Sequence, residues 1–113
     1  MNFHDELKLK MHEYVRLIYK ITKNFPKEEL YGVTSQIRRA TMSIILNYIE
    51  GYARRRGENC KVYKNFLEIA YGSLKESKYL LFFSFEEQYI NKEEYNFGLE
   101  LNDKIGKMLW SII

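Results

Sequence analysis

Between Gln36 and Arg54 a strongly apolar segment carries a single polar line, and no other feature of the chain limits its fold so tightly. Gln36, Arg39, Ser43, Asn47, Glu50 and Arg54 follow one another at spacings of 3, 4, 4, 3 and 4. On a helix turning about 100° per residue they form one narrow stripe. Ile37, Ala40, Met42, Ile44, Ile45, Leu46, Tyr48, Ile49, Tyr52 and Ala53 fill most of the remaining circumference. A single core-facing stripe needs less apolar surface than this. The helix is therefore expected to be buried on two sides, and its polar line runs directly into Arg54-Arg55-Arg56.

Three more helices are expected around it. Leu7, Met11, Tyr14, Ile18, Ile21 and Phe25 alternate at spacings of 4 and 3, widened by Val15 and Leu17, the pattern of a helix packed in a bundle. Phe25-Pro26 ends that helix, because proline disfavours helical geometry in the residue before it. Helix two runs from about Thr34 to Arg55 and stops near Gly57. Helix three, with Asn59 as a plausible N-cap, carries Tyr63, Leu67, Ala70, Leu74, Ser77 and Leu81 in phase. Tyr79 to Phe85 is apolar all round and could be read as a strand, but the helical phase continuing from Tyr63 argues for helix. Asn91 and Glu94 have the spacing of a capping box. They open a fourth helix whose inward face is expected at Tyr95, Leu99, Asn102, Gly106 and Leu109, flanked by Leu101, Ile105, Met108 and Ile112.

One proline and six glycines in 113 residues leave few places to turn. Long helices with short connections become antiparallel neighbours, so a single all-α domain over residues 1–113 is expected, an antiparallel up-down-up-down four-helix bundle. Such a topology polarises charge. The start of helix one, the turn between helices two and three and the end of helix four share one pole. Lys8, Lys10, Arg54, Arg55, Arg56, Lys61, Lys64, Lys104 and Lys107 stand there against Asp5, Glu6, Glu50, Glu58 and Asp103, nine positive minus five negative, or +4. At the other pole Lys20, Lys23, Lys27, Arg38 and Lys92 face Glu28, Glu29, Glu86, Glu87, Glu93 and Glu94, five minus six, or −1. A formal net charge of +3 thus conceals a basic end that would steer an anionic partner.

Reaction chemistry finds little support. Metal-binding four-helix bundles use Glu-x-x-His pairs, and neither His4 nor His12 has a glutamate three residues before it. Gly51 and Gly57 are isolated and build no phosphate loop. Cys60 is alone, which excludes an internal disulfide and reads as an ordinary thiol in a reducing, cytoplasmic setting. No catalytic residue, metal site or cofactor is expected. The amino terminus lacks the basic-then-apolar pattern of a signal peptide. The longest apolar run falls well short of the roughly 20 residues that span a bilayer, so no membrane association is expected.

The arginines at the end of helix two have a structural role open to them, since cations complement the helix dipole there. Their company with other cations favours phosphate contacts: Arg54, Arg55, Arg56, Lys61 and Lys64, with Arg38 and Arg39, are the candidate nucleic-acid-binding residues. Tyr52 and Tyr63 lie near enough to stack on a base. Glu50 and Arg54 have the spacing of an intrahelical ion pair. Gln36, Ser43, Asn47 and Glu50 are expected to join helices or subunits.

The run Phe25-Pro26-Lys27-Glu28-Glu29-Leu30-Tyr31-Gly32-Val33-Thr34-Ser35-Gln36-Ile37-Arg38-Arg39-Ala40, followed by Ser43-Ile44, Asn47, Glu50-Gly51-Tyr52 and Arg54, resembles the bacterial 23S rRNA intervening-sequence proteins. Phe66-Leu67, Ala70, Gly72-Ser73-Leu74 and Glu76 extend the match over nearly the whole chain. Tyr48-Ile49 stand where many members have Ile-Ala, and Ala53 where glycine is frequent. The resemblance implies a four-helix bundle assembling as a ring-like homopentamer. It also implies kinship with the basic, pentameric accessory protein of diversity-generating retroelements, which works with a reverse transcriptase and nucleic acid. Two functions are then expected from different classes. One is RNA or DNA binding through phosphates; the other is a scaffold for a reverse transcriptase or an RNA-processing protein.

Overall fold

Asn2 opens the first helix, α1 (Phe3–Thr22), by accepting the Asp5 N–H at 2.8 Å, and Asp5 and Glu6 occupy its positive first turn. After Phe25 and Pro26 comes a short 3₁₀ turn at Lys27–Glu29, then α2 (Val33–Arg54), α3 (Lys61–Glu86) and α4 (Lys92–Ile112). This computed structural model describes residues 1–58 and 60–113, and among them it is all-α with no strand. Tyr79 to Phe85 is therefore helical. The expected capping box forms in full: Glu94 N–H donates to Asn91 at 2.7 Å and the Glu94 carboxylate accepts the Asn91 N–H at 2.9 Å. Cys60 occupies the cap position of α3, and the expected cap Asn59 lies outside the described residues.

The α1 seam is the one its spacing predicts, with Leu7, Met11, Tyr14, Ile18, Ile21 and Phe25 all buried. The face of α4 is rotated from expectation. Gly98, Leu101, Asn102, Ile105 and Leu109 are buried, while Tyr95 and Leu99 are only half-buried. Gly98 explains the rotation: a Cβ there would lie 3.0 Å from Leu81 Cδ1, so its absence lets α4 settle onto α3 at that point. Each of α1 and α3 packs on both α2 and α4, and α2 and α3 approach most closely. At Gly51 a Cβ would stand 2.6 Å from Phe66 Cβ.

A hydrogen-bonded group sits inside the core. Tyr14 Oη and Ser77 Oγ are 2.9 Å apart, and Asn102 Nδ2 donates to Leu74 C=O at 3.0 Å and Tyr14 Oη at 3.1 Å. Buried polar atoms are costly unless paired, and here three helices supply the partners. No helix among the described residues is long and apolar enough to cross a membrane.

Candidate nucleic-acid interface

The cationic turn is built by the way α2 stops. Arg54 is its last residue, Arg55 is extended at φ −68° and ψ 139°, and Gly57 takes φ 63°, a left-handed conformation that glycine adopts without strain. The chain thus leaves the helix at once, and Arg54, Arg55, Arg56, Lys61 and Lys64 are all exposed on or beside the turn.

Their surroundings differ. Arg54 Nη2 lies 2.8 Å from Glu50 Oε1, the expected ion pair, and its guanidinium is over the Phe66 ring at 5.6 Å. The Arg55 guanidinium carbon lies over Tyr52, 3.6 Å from the ring centroid. His4, from the start of α1, stacks on Tyr52 at 3.5 Å with 16° between the planes. Two groups cannot occupy one face at those distances, so both faces of Tyr52 are covered. Tyr52 is thus the middle of a His4–Tyr52–Arg55 stack, with neither face open in this arrangement. Tyr63 is half-buried and meets Tyr52 edge-on at 6.3 Å. Arg55, Arg56, Lys61 and Lys64 have no ion pair among the described residues.

Other elements converge on the same place. His4 Nδ1 is 2.8 Å from Tyr48 Oη. Burial holds the His4 imidazole below its ordinary pKa, and Lys8 and Arg55 add to the effect against the opposing pull of Asp5. At the end of α4, Ile112 and Ile113 line a cavity with Lys61, Lys64 and Tyr63. The Cys60 thiol is held below its ordinary pKa chiefly by the backbone N–H groups of Tyr63 and Arg56.

Arg38 and Arg39 are not brought to this turn. Arg38 is sixteen residues before Arg54, about 24 Å along the helix. Its Nε donates to Thr22 Oγ1 at 2.8 Å and its guanidinium lies over Tyr19 at 4.7 Å. Arg39 is exposed beside a groove that it lines with Gln36, Ser43, Ser73 and Glu76. The polar stripe runs along the α2–α3 seam. Ser43 Oγ lies 2.8 Å from Ser73 Oγ, and Asn47 Nδ2 donates to Ser43 C=O at 2.8 Å and to Ser43 Oγ at 2.9 Å. Beyond the stripe, Leu46 is 56% and Ile49 44% exposed on α2, and Ile69 50% exposed on α3.

Sequence reasoning missed His4, Tyr48 and Ser73 as members of these clusters. Ser73 carries no local signal. The three-residue interval from Tyr52 to Arg55 could have suggested their stacking.

Residues 6–111 match the family model described as 23S rRNA-intervening sequence protein. Among solved structures, the chain is similar to a protein of unknown function from the S23 ribosomal protein family of Bacteroides thetaiotaomicron. The two share 28% identity over 95% of this chain and 97% of that one, with a TM-score of 0.81. A comparison with curated proteins finds no match.

Proposed function

The chain belongs to the 23S rRNA-intervening sequence protein family, and from that premise we propose that it is a non-enzymatic protein that binds RNA or DNA mainly through phosphate contacts. The observation that carries this reading is the group Arg55, Arg56, Lys61 and Lys64, exposed together and without ion pairs among the described residues. Phosphate contacts need such cations and no base-specific geometry. Arg55 is packed over the Tyr52 ring, which lowers the entropy lost when it meets a phosphate.

The finer architecture proposed is an up-down-up-down bundle in a ring-like homopentamer. The helix order is supported by the pairs His4 with Tyr48, Arg38 with Thr22, Ser43 with Ser73 and Asn102 with Leu74. Assembly is supported by the apolar back of α2, where Leu46 and Ile49 face water in one chain. Five is the number implied by the family resemblance, and five turns pointing one way would form a basic ring. A cytoplasmic setting accords with the unpaired Cys60.

The test is a salt titration of RNA and DNA binding. Affinity should fall linearly in log–log form, and replacing Arg54, Arg55 and Arg56 with alanine should flatten the slope by about 2 to 3. Absence of binding at low salt, or an unchanged slope in the variant, overturns nucleic-acid binding. The exposed Leu46, Ile49 and Ile69 favour a second reading in that event, a scaffold docking a reverse transcriptase or RNA-processing protein.

A further inference from the structure

Away from the cationic turn, a groove of about 390 Å³ opens between α3 and α4. Asn102 lies at its floor and is 1% exposed. The orientation of its amide is fixed, because Nδ2 donates to Leu74 C=O at 3.0 Å, and a carbonyl pairs only with a donor. Oδ1 therefore points the other way. It accepts no hydrogen bond from the described residues, yet it is not sealed off, since the one buried side-chain polar atom left without a partner among them is Thr34 Oγ1. The small part of Asn102 that solvent still touches is thus this acceptor, and it opens on the groove. Gly106, one turn further along α4, lines the groove and places no side chain over it.

The rest of the lining narrows the choice of ligand. Tyr71 and Trp110 form an aromatic wall, their centroids 5.4 Å apart and their planes inclined at 45°. Trp110 remains 64% exposed, so much of its ring is open. Lys75, whose Nζ is 5.1 Å from the Tyr71 centroid, and Lys107 are exposed and have no ion pair among the described residues. Asp103, the one carboxylate in the lining, is paired with Lys78 at 3.6 Å. A ligand that satisfies all of these needs a flat π face for Trp110, an edge N–H for the Asn102 oxygen and an anion for the lysines. A nucleobase on its phosphate backbone brings the three together, whereas an aliphatic or acidic side chain of a peptide brings one at most.

We propose that this groove takes one unpaired nucleobase, stacked on Trp110 and donating an N–H to Asn102 Oδ1, with Lys75 and Lys107 on the adjoining phosphates. Resting on the nucleic-acid reading of the cationic turn, this makes the ligand a single strand, because a base inside a duplex offers neither its face nor its pairing edge. The two places are connected. Tyr71 lies two helical turns beyond Lys64, about 10 Å along α3, and Ile112 and Ile113 carry α4 on from Trp110 to the cavity beside Lys61 and Lys64. A strand held by the turn reaches the groove along the α3–α4 seam.

Trp110 is the chain's one tryptophan, so its fluorescence reports on the groove alone. The experiment titrates the full chain at low salt with a short oligothymidylate, an abasic strand of equal length, a strand of N3-methylthymidine and a blunt duplex, with affinities read from the anisotropy of a strand label. Oligothymidylate should quench Trp110 saturably, while the abasic strand and the duplex bind at the turn without quenching. The N3-methyl strand, which stacks but has no N–H to donate, should bind about tenfold more weakly than oligothymidylate. Trp110→Ala should weaken oligothymidylate about tenfold and leave the abasic strand unchanged, and because Trp110 is exposed, circular dichroism should show helicity kept. Thymidine 5′-monophosphate should bind far more weakly than the strand, since it forgoes the turn. Failure of every strand to bind at low salt overturns the nucleic-acid reading and the base site with it. Binding of the abasic or N3-methyl strand as tight as that of oligothymidylate, or unquenched Trp110 at saturation, overturns the base site alone. Trp110 shielded from iodide in the free protein overturns it too, and assigns the groove to a second copy of the chain.

Discussion

Single residues here do different jobs from neighbours of the same type, because their partners differ. Arg54 is partly neutralised by Glu50 at 2.8 Å, whereas Arg55 and Arg56 are free of carboxylates among the described residues. Alanine at Arg55 or Arg56 should therefore each reduce the salt slope of nucleic-acid binding by about 1, and alanine at Arg54 by less, read in the same titration. Asn102 donates to Tyr14 and Leu74 from within the core. Asn102→Ala should cost about 1 to 2 kcal/mol in urea unfolding, since it removes these donations and leaves a small void while Ser77 still pairs with Tyr14 and Leu74, and Tyr14→Phe about 1 kcal/mol. His4 has its pKa lowered from 6.5 by burial, so the unfolded chain binds its proton more readily than the folded one. Its contribution is present above that value and is lost as pH falls through the depressed folded value. Thermal melts should show stability declining as pH falls below about 6.5. His4→Phe, which keeps a ring on Tyr52, should flatten that decline. The positions of Asn102 and Ser77 on helical seams were legible in the sequence; that they bond each other's neighbours was not, because partners from different helices carry no shared local signal.

At the scale of elements, α2 is the most demanding piece. Its polar stripe, expected to join helices or subunits, joins α2 to α3 through Ser43 and Ser73, while Asn47 bonds back to Ser43 within α2, and its back remains apolar and exposed. Small residues make the close α2–α3 approach possible, and two glycines should respond oppositely to the same change. Gly51→Ala would push a methyl to 2.6 Å from Phe66 Cβ and should destabilise by about 2 kcal/mol. Gly72 is exposed with nothing within 4 Å of its Cβ position, so Gly72→Ala should stabilise by about 0.5 to 1 kcal/mol through helix propensity. Denaturant midpoints of the two variants check the contrast. The α4 face shows where periodicity falls short. Tyr95 and Leu99 look like core residues by spacing, but the contact of Gly98 with Leu81 sets the rotation, and a glycine has no side chain for a hydrophobic pattern to register.

For the whole molecule, one chain leaves Leu46, Ile49, Ile69 and the cationic turn on its surface at once. If the apolar back of α2 is covered by further copies, Leu46→Glu with Ile49→Glu should lower the mass in light scattering to the 13.7 kDa of one chain while helicity is kept. The sequence by itself determined the four helices, the α1 seam, the capping box and the family, because these depend on spacings of three and four and on local caps within each helix. Tertiary structure alone decided that His4 and Arg55 enclose Tyr52 and that Arg38 bonds to Thr22. Those outcomes depend on distances between elements, which helical period does not encode: the same stripe of residues leads to different neighbours once a glycine lets one helix settle closer or rotate on another.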